Sequence, residues 1–149
     1  MLPQSKLALA ISPVSLTAGA TATKVLVDTK GFKFASFDIV LGAADVVSNV
    51  PQTLKLQEAD VTNSSSLADI SAFKAGDGFT LNTTAGTNTA TPNLYKLDVN
   101  LLAGPRKRYL ALELSPRTTQ VVSAVCNLFR AEQTPVSAAE TGVLQVVRG

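Results

Sequence analysis

The sequence predicts an all-β domain, and three observations lead to that prediction. Apolar residues never recur at helical spacing for three turns, whereas several segments alternate apolar and polar residues with the period of two that is typical of strands. Turn-forming Gly, Pro, Asn and Ser separate these segments. A chain of 149 residues can bury one ordinary core. The predicted fold is therefore a single antiparallel β-sandwich or jelly-roll-like domain with extended N- and C-terminal arms.

The first half of the sandwich contains a short strand, a tight turn and two alternating strands. Residues 24–28 form a β-branched run, and Gly31 can supply the positive φ of a turn, so the sequence predicts a hairpin between this run and residues 34–41. Residues 53–58 alternate again. The residues predicted to face the core are Ala35, Phe37, Ile39, Leu41, Leu54 and Leu56.

Residues 60–91 are small, polar and rich in turn formers, and they predict long loops with one short strand near residues 79–82. Such loops are usually functional or mobile. Residues 60–63 and 76–78 offer oxygen ligands, but neither segment has the ligand spacing of a calcium loop. Asx turns are the better interpretation of both segments.

The second half predicts a hairpin with a basic tip and one doubly apolar strand. Alternating residues 95–101 and 110–114 flank a turn at Gly104-Pro105, and Arg106, Lys107 and Arg108 lie at its tip. The tip either binds phosphate or the acidic patch of a partner, or is a solvated turn that discourages edge pairing. Residues 121–129 are apolar on both faces, which indicates a central strand or a subunit interface. One face carries Val121, Val125 and Phe129, and the other carries Val122, Ala124, Cys126 and Leu128.

The domain assignment follows from these elements. Residues 1–20 form an N-terminal arm, residues 21–131 form the sandwich with long loops at about 60–92, and residues 132–149 form a C-terminal arm. Both arms are apolar, and their apolar side chains need a surface that shields them from water. Each arm therefore either adds an edge strand to its own sheet or docks on another chain. Their apolar residues include Leu7, Leu9 and Ile11 at one end and Val143, Leu144 and Val146 at the other.

Composition excludes most catalytic classes. The chain has no histidine and a single cysteine, Cys126, so it has no Ser-His or Cys-His pair, no paired-Cys zinc site and no intrachain disulfide. The 11 acidic residues are scattered singly, and aromatic residues make up 5% without Trp, so neither a glycosidase pair nor a base-stacking groove is indicated. We predict no enzyme activity, cofactor or metal. Net charge of +2 and the lack of a long apolar run predict no nucleic-acid or membrane partner.

Several segments resemble small proteins that tailed bacteriophages encode beside the major capsid protein. These segments are VLVDTKGF at 25–32, FDIVLG at 37–42, LKLQEAD at 54–60, RKRYL at 106–110 and LFRAEQTPV at 128–136. The resemblance covers roughly residues 24–143. It implies a head decoration, or cement, protein: a β-sandwich or jelly-roll subunit that trimerises on the outside of the capsid and clamps neighbouring capsomers.

We therefore expect a virion structural protein that decorates and stabilises the outer capsid surface by bridging capsid subunits. Its expected partners are the major capsid protein and its own copies in a homotrimer. The expected contact residues are Leu7, Leu9, Ile11, Arg106, Lys107, Arg108, Val121, Val125, Phe129, Val143, Leu144 and Val146. The alternative is a host-adhesion or carbohydrate-binding β-sandwich of a head fibre, with the loops at 60–92 as its binding surface.

Overall fold

The computed structural model describes residues 5–43, 50–81, 93–130 and 145–148, and these residues form two facing β-sheets. The strands are β1 (Ser5–Leu16), β2 (Val27–Asp28), β3 (Phe34–Leu41), β4 (Pro51–Ala59), β5 (Ala68–Lys74), β6 (Asn93–Asn100), β7 (Tyr109–Pro116), β8 (Gln120–Phe129) and β9 (Gln145–Arg148). One 3₁₀ turn, Ser64–Ser66, is the only helical element in the described part of the chain. None of the described segments is a helix that could traverse a lipid bilayer.

The first eight strands form a jelly roll. Strands β1 and β8, β2 and β7, β3 and β6, and β4 and β5 pair antiparallel, as in a long hairpin that has been rolled up. The rolling produces a five-stranded sheet in the order β1-β8-β3-β6-β9 and a four-stranded sheet in the order β2-β7-β4-β5. Strand β9 extends the first sheet by pairing parallel to β6. The predicted fold class is confirmed.

The core lies between the two sheets and has the residues that alternation predicts. Side chains on the inner faces of β3, β4, β6, β7 and β8 are almost fully buried, and each large one contributes about 1.5–3 kcal/mol relative to exposure. Among them are Phe37, Leu41, Leu56, Leu97, Leu112, Leu114, Cys126 and Leu128, all 0% exposed. The burial predicted for Cys126 is confirmed.

Both predicted hairpins are wrong, although their turns are present. Gly31 has φ of 86° in the turn between β2 and β3, yet these strands belong to different sheets. Strands β6 and β7, which flank the basic tip, also belong to different sheets. Alternation reveals which side chains face the core, but it carries no information about a strand's partner. In the jelly roll, these two turns lead the chain across the sandwich instead of back along the same sheet.

Part of each predicted arm forms an edge strand. Strand β1 pairs with β8 along its length and buries Ala10 and Ile11, so part of the predicted N-terminal arm belongs to the sandwich. Pro13 and two register shifts interrupt β1, and such irregularities protect an exposed edge from unwanted pairing. Strand β9 likewise adds an edge strand. Val143 and Leu144 lie outside the described residues, and only the backbone of Val146 is described.

The region predicted as long loops contains a strand that the sequence pattern conceals. Ile70 and Phe73 of β5 are both buried although they are three residues apart, because the pairing of β4 with β5 shifts register between Lys55 and Gln57. The strand predicted near residues 79–82 is reduced, within the described residues, to one bridge between Ala75 and Phe79. An Asx turn is present, since Asn63 Oδ1 accepts the Ser65 N–H at 3.0 Å.

Candidate docking surfaces

The outer face of the four-stranded sheet is a network of opposite charges. Lys24 Nζ lies 2.5 Å from Glu113 Oε2, and Lys55 Nζ lies 2.9 Å from Asp69 Oδ1 and 3.4 Å from Glu113 Oε1. The Gln57 amide accepts from Lys24 and donates to Asp69, each at 2.7 Å. Hydrogen bonding to Lys55 lowers the pKa of Asp69, and the same contact raises the pKa of Lys55. This face is internally neutralised and suited to water.

The outer face of the five-stranded sheet is apolar by contrast. We call it the apolar face, and it comprises Leu7, Leu9, Phe34, Val40, Leu94, Val121, Val125 and Phe129. Leu7 is 66% exposed, Val121 52% and Leu9 45%. Leu9 lies opposite Val125, and Val40 lies opposite Leu94, so the exposed side chains extend across four adjacent strands. Large exposed apolar patches commonly mark interaction sites.

Of the six predicted contact residues in β1 and β8, five meet on this face and one does not. Leu7, Leu9, Val121, Val125 and Phe129 belong to it, because β8 lies between β1 and β3 and turns its odd-numbered side chains outward. Ile11 is only 1% exposed, and its prediction as a contact residue is wrong. A register shift between Leu9 and Ile11 directs the Ile11 side chain into the core.

A polar cluster, formed by Ser36, Asp38, Lys96 and Asn127, interrupts the apolar face at its centre. Lys96 Nζ lies 2.5 Å from Asp38 Oδ1, and Asn127 Nδ2 donates to Asp38 Oδ2 at 2.7 Å. Lys96 is 8% exposed and Ser36 is 3% exposed, although the sequence assigned both side chains to the polar side of their strands. Sequence analysis missed this cluster because its members come from three strands that are far apart in the chain.

The basic tip is largely engaged within the molecule. Arg108 donates from Nε to Asp28 Oδ1 at 2.9 Å and from Nη2 to Asp28 Oδ2 at 2.7 Å, and its guanidinium lies 5.0 Å from the centre of the Tyr109 ring. The Lys107 backbone N–H donates to Glu58 at 3.2 Å. Arg106 forms no ion pair with any described residue. Of the two tip arginines, only Arg106 is without an ion pair among the described residues, and its Nε is buried.

The Arg108–Asp28 pair gives a testable pH dependence. The bidentate guanidinium holds the pKa of the Asp28 carboxyl well below its usual range, so the pair stabilises the fold above the ordinary carboxyl pKa and loses its effect as the pH falls below it. Arg108→Ala should lower the free energy of unfolding only slightly at neutral pH, because both partners are substantially exposed. Urea unfolding at neutral and acidic pH should show this difference shrinking with acidity. The control is Arg117→Ala, at the opposite end of β7. If Arg108→Ala lowers the stability as much in acid as at neutral pH, the assignment of this effect to the Arg108–Asp28 pair is contradicted.

The described residues contain no group of His, Cys, Asp and Glu that could hold a metal ion. Burial raises the pKa of the Cys126 thiol to about 12, which leaves it unsuited to act as a nucleophile. A cavity of about 410 Å³ lies between residues 12–16 and residues 21–25. Its lining is aliphatic and hydroxylic, without an aromatic or charged side chain.

Comparisons with known proteins were negative. No protein-family model matches the chain, and neither the curated proteins nor the solved structures contain a significant match. Function must therefore be inferred from the surfaces described above.

Proposed function

We propose that this chain is a virion structural protein that decorates the outer surface of a phage capsid and stabilises it by bridging capsid subunits. Its partners would be the major capsid protein and its own copies in a homotrimer. The observation that supports the proposal is the contrast between the two outer faces of the sandwich. One face is a neutralised charge network, whereas the other exposes Leu7, Leu9 and Val121 to solvent.

The size of the apolar face argues for assembly on a lattice. Covering the exposed fractions of its five most exposed side chains, which range from 36% to 66%, would contribute roughly 5 kcal/mol. Association in solution costs about 4–15 kcal/mol of translational and rotational freedom, so this face alone supports weak binding of an isolated subunit. A subunit that contacts several fixed neighbours at once gains affinity from their high effective concentration. A decoration protein is bound in this way.

The jelly roll is compatible with this role by analogy only. The same architecture occurs in viral capsid proteins and in lectins, and one fold hosts many functions. The architecture therefore agrees with both the decoration role and the carbohydrate-binding alternative. The distinction between these roles has to come from surfaces and binding experiments.

The proposal is tested by co-producing the chain with the major capsid protein of the same phage and sedimenting the assembled shells. The wild-type chain should sediment with the shells in many copies. Val121→Glu should reduce its occupancy at least about tenfold, because burying an unpaired carboxylate costs more than the ~1.4 kcal/mol that corresponds to a factor of ten. Occupancy is read from the stained ratio of the two proteins.

Val61→Glu is a closely matched control for this experiment. Val61 is 54% exposed, against 52% for Val121, but it lies in the turn after β4, away from the apolar face. The control should lose far less occupancy than Val121→Glu, since its added carboxylate stays in solvent, and both variants should unfold at the wild-type urea concentration. Absence of the wild-type chain from the shells, or equal losses in both variants, would refute the proposed docking through the apolar face.

A glycan array separates the adhesion alternative from the decoration role. Saturable binding of a sugar by the isolated protein, together with absence from shells, would favour adhesion. The described residues offer this alternative little support, since the cavity beside β1 lacks the aromatic platform on which sugars usually stack.

A further inference from the structure

Three segments are tied together at one end of the sandwich, which we call the basic end: residues 28–33, residues 101–108 and residues 129–130. The Thr29 N–H and hydroxyl donate to Arg108 O at 3.0 and 2.7 Å. The Lys33 N–H donates to Phe129 O, and the Leu101 N–H donates to Lys33 O, each at 2.9 Å. These hydrogen bonds hold the segments in one fixed arrangement.

The basic end concentrates positive charge that the whole chain does not show. Its cations are Lys30, Lys33, Arg106, Lys107, Arg108 and Arg130. Among the described residues, the acidic groups that contact the tip are Asp28 and Glu58, together with Asp60, which lies 3.9 Å from Lys107 Nζ. The chain as a whole carries only +2. Because cations outnumber acids locally, this end attracts a negatively charged surface.

Arginines cover two of its aromatic rings, Phe32 and the neighbouring Tyr109, which disfavours base stacking by a nucleic-acid partner there. The Arg130 guanidinium lies 5.4 Å from the centre of the Phe32 ring, and Arg108 covers Tyr109 at 5.0 Å. Single-stranded nucleic acids gain much of their affinity by stacking bases on free rings. Leu102, in contrast, is 65% exposed next to the tip and offers an apolar contact of the kind a protein surface provides.

A second copy of this chain is also a poor partner for the basic end. Two basic ends would repel each other, and the acidic groups described elsewhere already have their own cations. Asp69 and Glu113 contact Lys55, and Asp38 contacts Lys96. The complementary surface has to come from a different protein.

We propose that the basic end binds a carboxylate-rich surface of a protein other than this chain. Arg106 supplies an ion pair through its terminal Nη groups, since its Nε is buried and it forms no ion pair with the described residues, and Leu102 supplies an apolar contact beside it. Arg108 acts indirectly, by fixing the tip on Asp28. The identification of that protein as the capsid subunit rests on the proposed function. The binding of a carboxylate-rich surface does not depend on it.

The test measures binding of the full chain to a labelled peptide of glutamate and leucine by fluorescence anisotropy. Arg106→Ala should weaken binding about tenfold, the effect of losing one charge-assisted pair worth about 1.5 kcal/mol. Arg117→Ala removes the same charge from an exposed site at the opposite end of β7, and it should change affinity less than about twofold. Raising the salt concentration should weaken binding of the wild type.

Three results would overturn the inference: no binding of the peptide by the wild type, equal losses in the two arginine variants, or tighter binding of a single-stranded oligonucleotide of equal charge. The outcome is separable from that of the shell experiment. Failure to bind the peptide, with shell binding still sensitive to Val121→Glu, refutes this inference and leaves the proposed function standing. Specific peptide binding by a chain that never joins shells refutes only the proposed function.

Discussion

Asp38→Ala should lower the free energy of unfolding by about 3 kcal/mol, in the range expected when one partner of a buried ion pair is removed. The Lys96 side chain is only 10% exposed, and its ammonium group would lose the carboxylate that lies 2.5 Å away. The Asn127 amide would lose its acceptor at the same time. Because Asp38 itself is 33% exposed, water can enter and keep the loss below the upper end of that range. Urea unfolding followed by circular dichroism measures the change.

A double-mutant cycle separates the ion pair from simple loss of packing. Lys96→Met removes the charge and keeps the apolar stem, so the combined Asp38→Ala and Lys96→Met variant should be more stable than Asp38→Ala alone. Additive losses would show that the two groups are energetically independent, contrary to this account. Recovery of stability in the combined variant would show that the polar cluster limits how apolar this face is more than it stabilises the fold.

Raising the pH above about 9 should progressively destabilise the protein, because two buried acids keep their protons in the fold. Burial raises the pKa of Cys126 from 9.0 to about 12 and that of Tyr95 from 10.0 to about 12. The unfolded chain releases these protons at the ordinary values, so the stability present below them is lost as the pH rises toward about 12. Each unit of raised pKa corresponds to about 1.4 kcal/mol, and the combined loss is a large part of the about 5–15 kcal/mol typical of a domain.

Cys126→Ala and Tyr95→Phe test the source of this alkaline loss. Each variant should flatten the fall of the unfolding free energy with pH, Cys126→Ala from about pH 9 and Tyr95→Phe from about pH 10. The stability of each variant at neutral pH serves as its control. A difference from the wild type at neutral pH measures the change in packing, and only the additional difference at high pH measures ionisation. Tyr95→Phe should cost little at neutral pH, because the Tyr95 hydroxyl is buried without a hydrogen-bond partner. A pH slope that both variants leave intact would contradict the explanation.

The inner faces of the sheets could be predicted from the sequence, whereas their connectivity could not. The two-residue period of β3 and β7 places Phe37 and Leu112 in the core, as predicted. Pairing depends on which strands meet after collapse, and β1 meets β8 across more than a hundred intervening residues. Strand β5 was also not predicted, because a bulge in its pairing breaks the alternation by which a strand is recognised.

The exposed apolar and charged residues were predictable to a similar extent. Leu7, Leu9 and Val121 are apolar residues with no core position, and the structure confirms their exposure. Ile11 has the same character in the sequence and is buried, since a single register shift reverses the direction of a side chain. The ion pair between Arg108 and Asp28 was not predicted because 80 residues separate the partners.

The pairing of β1 with β8 affects how the chain folds as the ribosome makes it. Residues 5–16 emerge long before their partner, residues 120–129, which follows only after about 100 further residues, on the order of 5–20 seconds later. Throughout that interval the apolar side chains of β1 have no partner strand, and the core around Ile11 stays open. Closing such a long loop also makes folding intrinsically slow. Pro13, which cannot donate to a neighbouring strand, therefore limits pairing between nascent chains on the same message until β8 arrives.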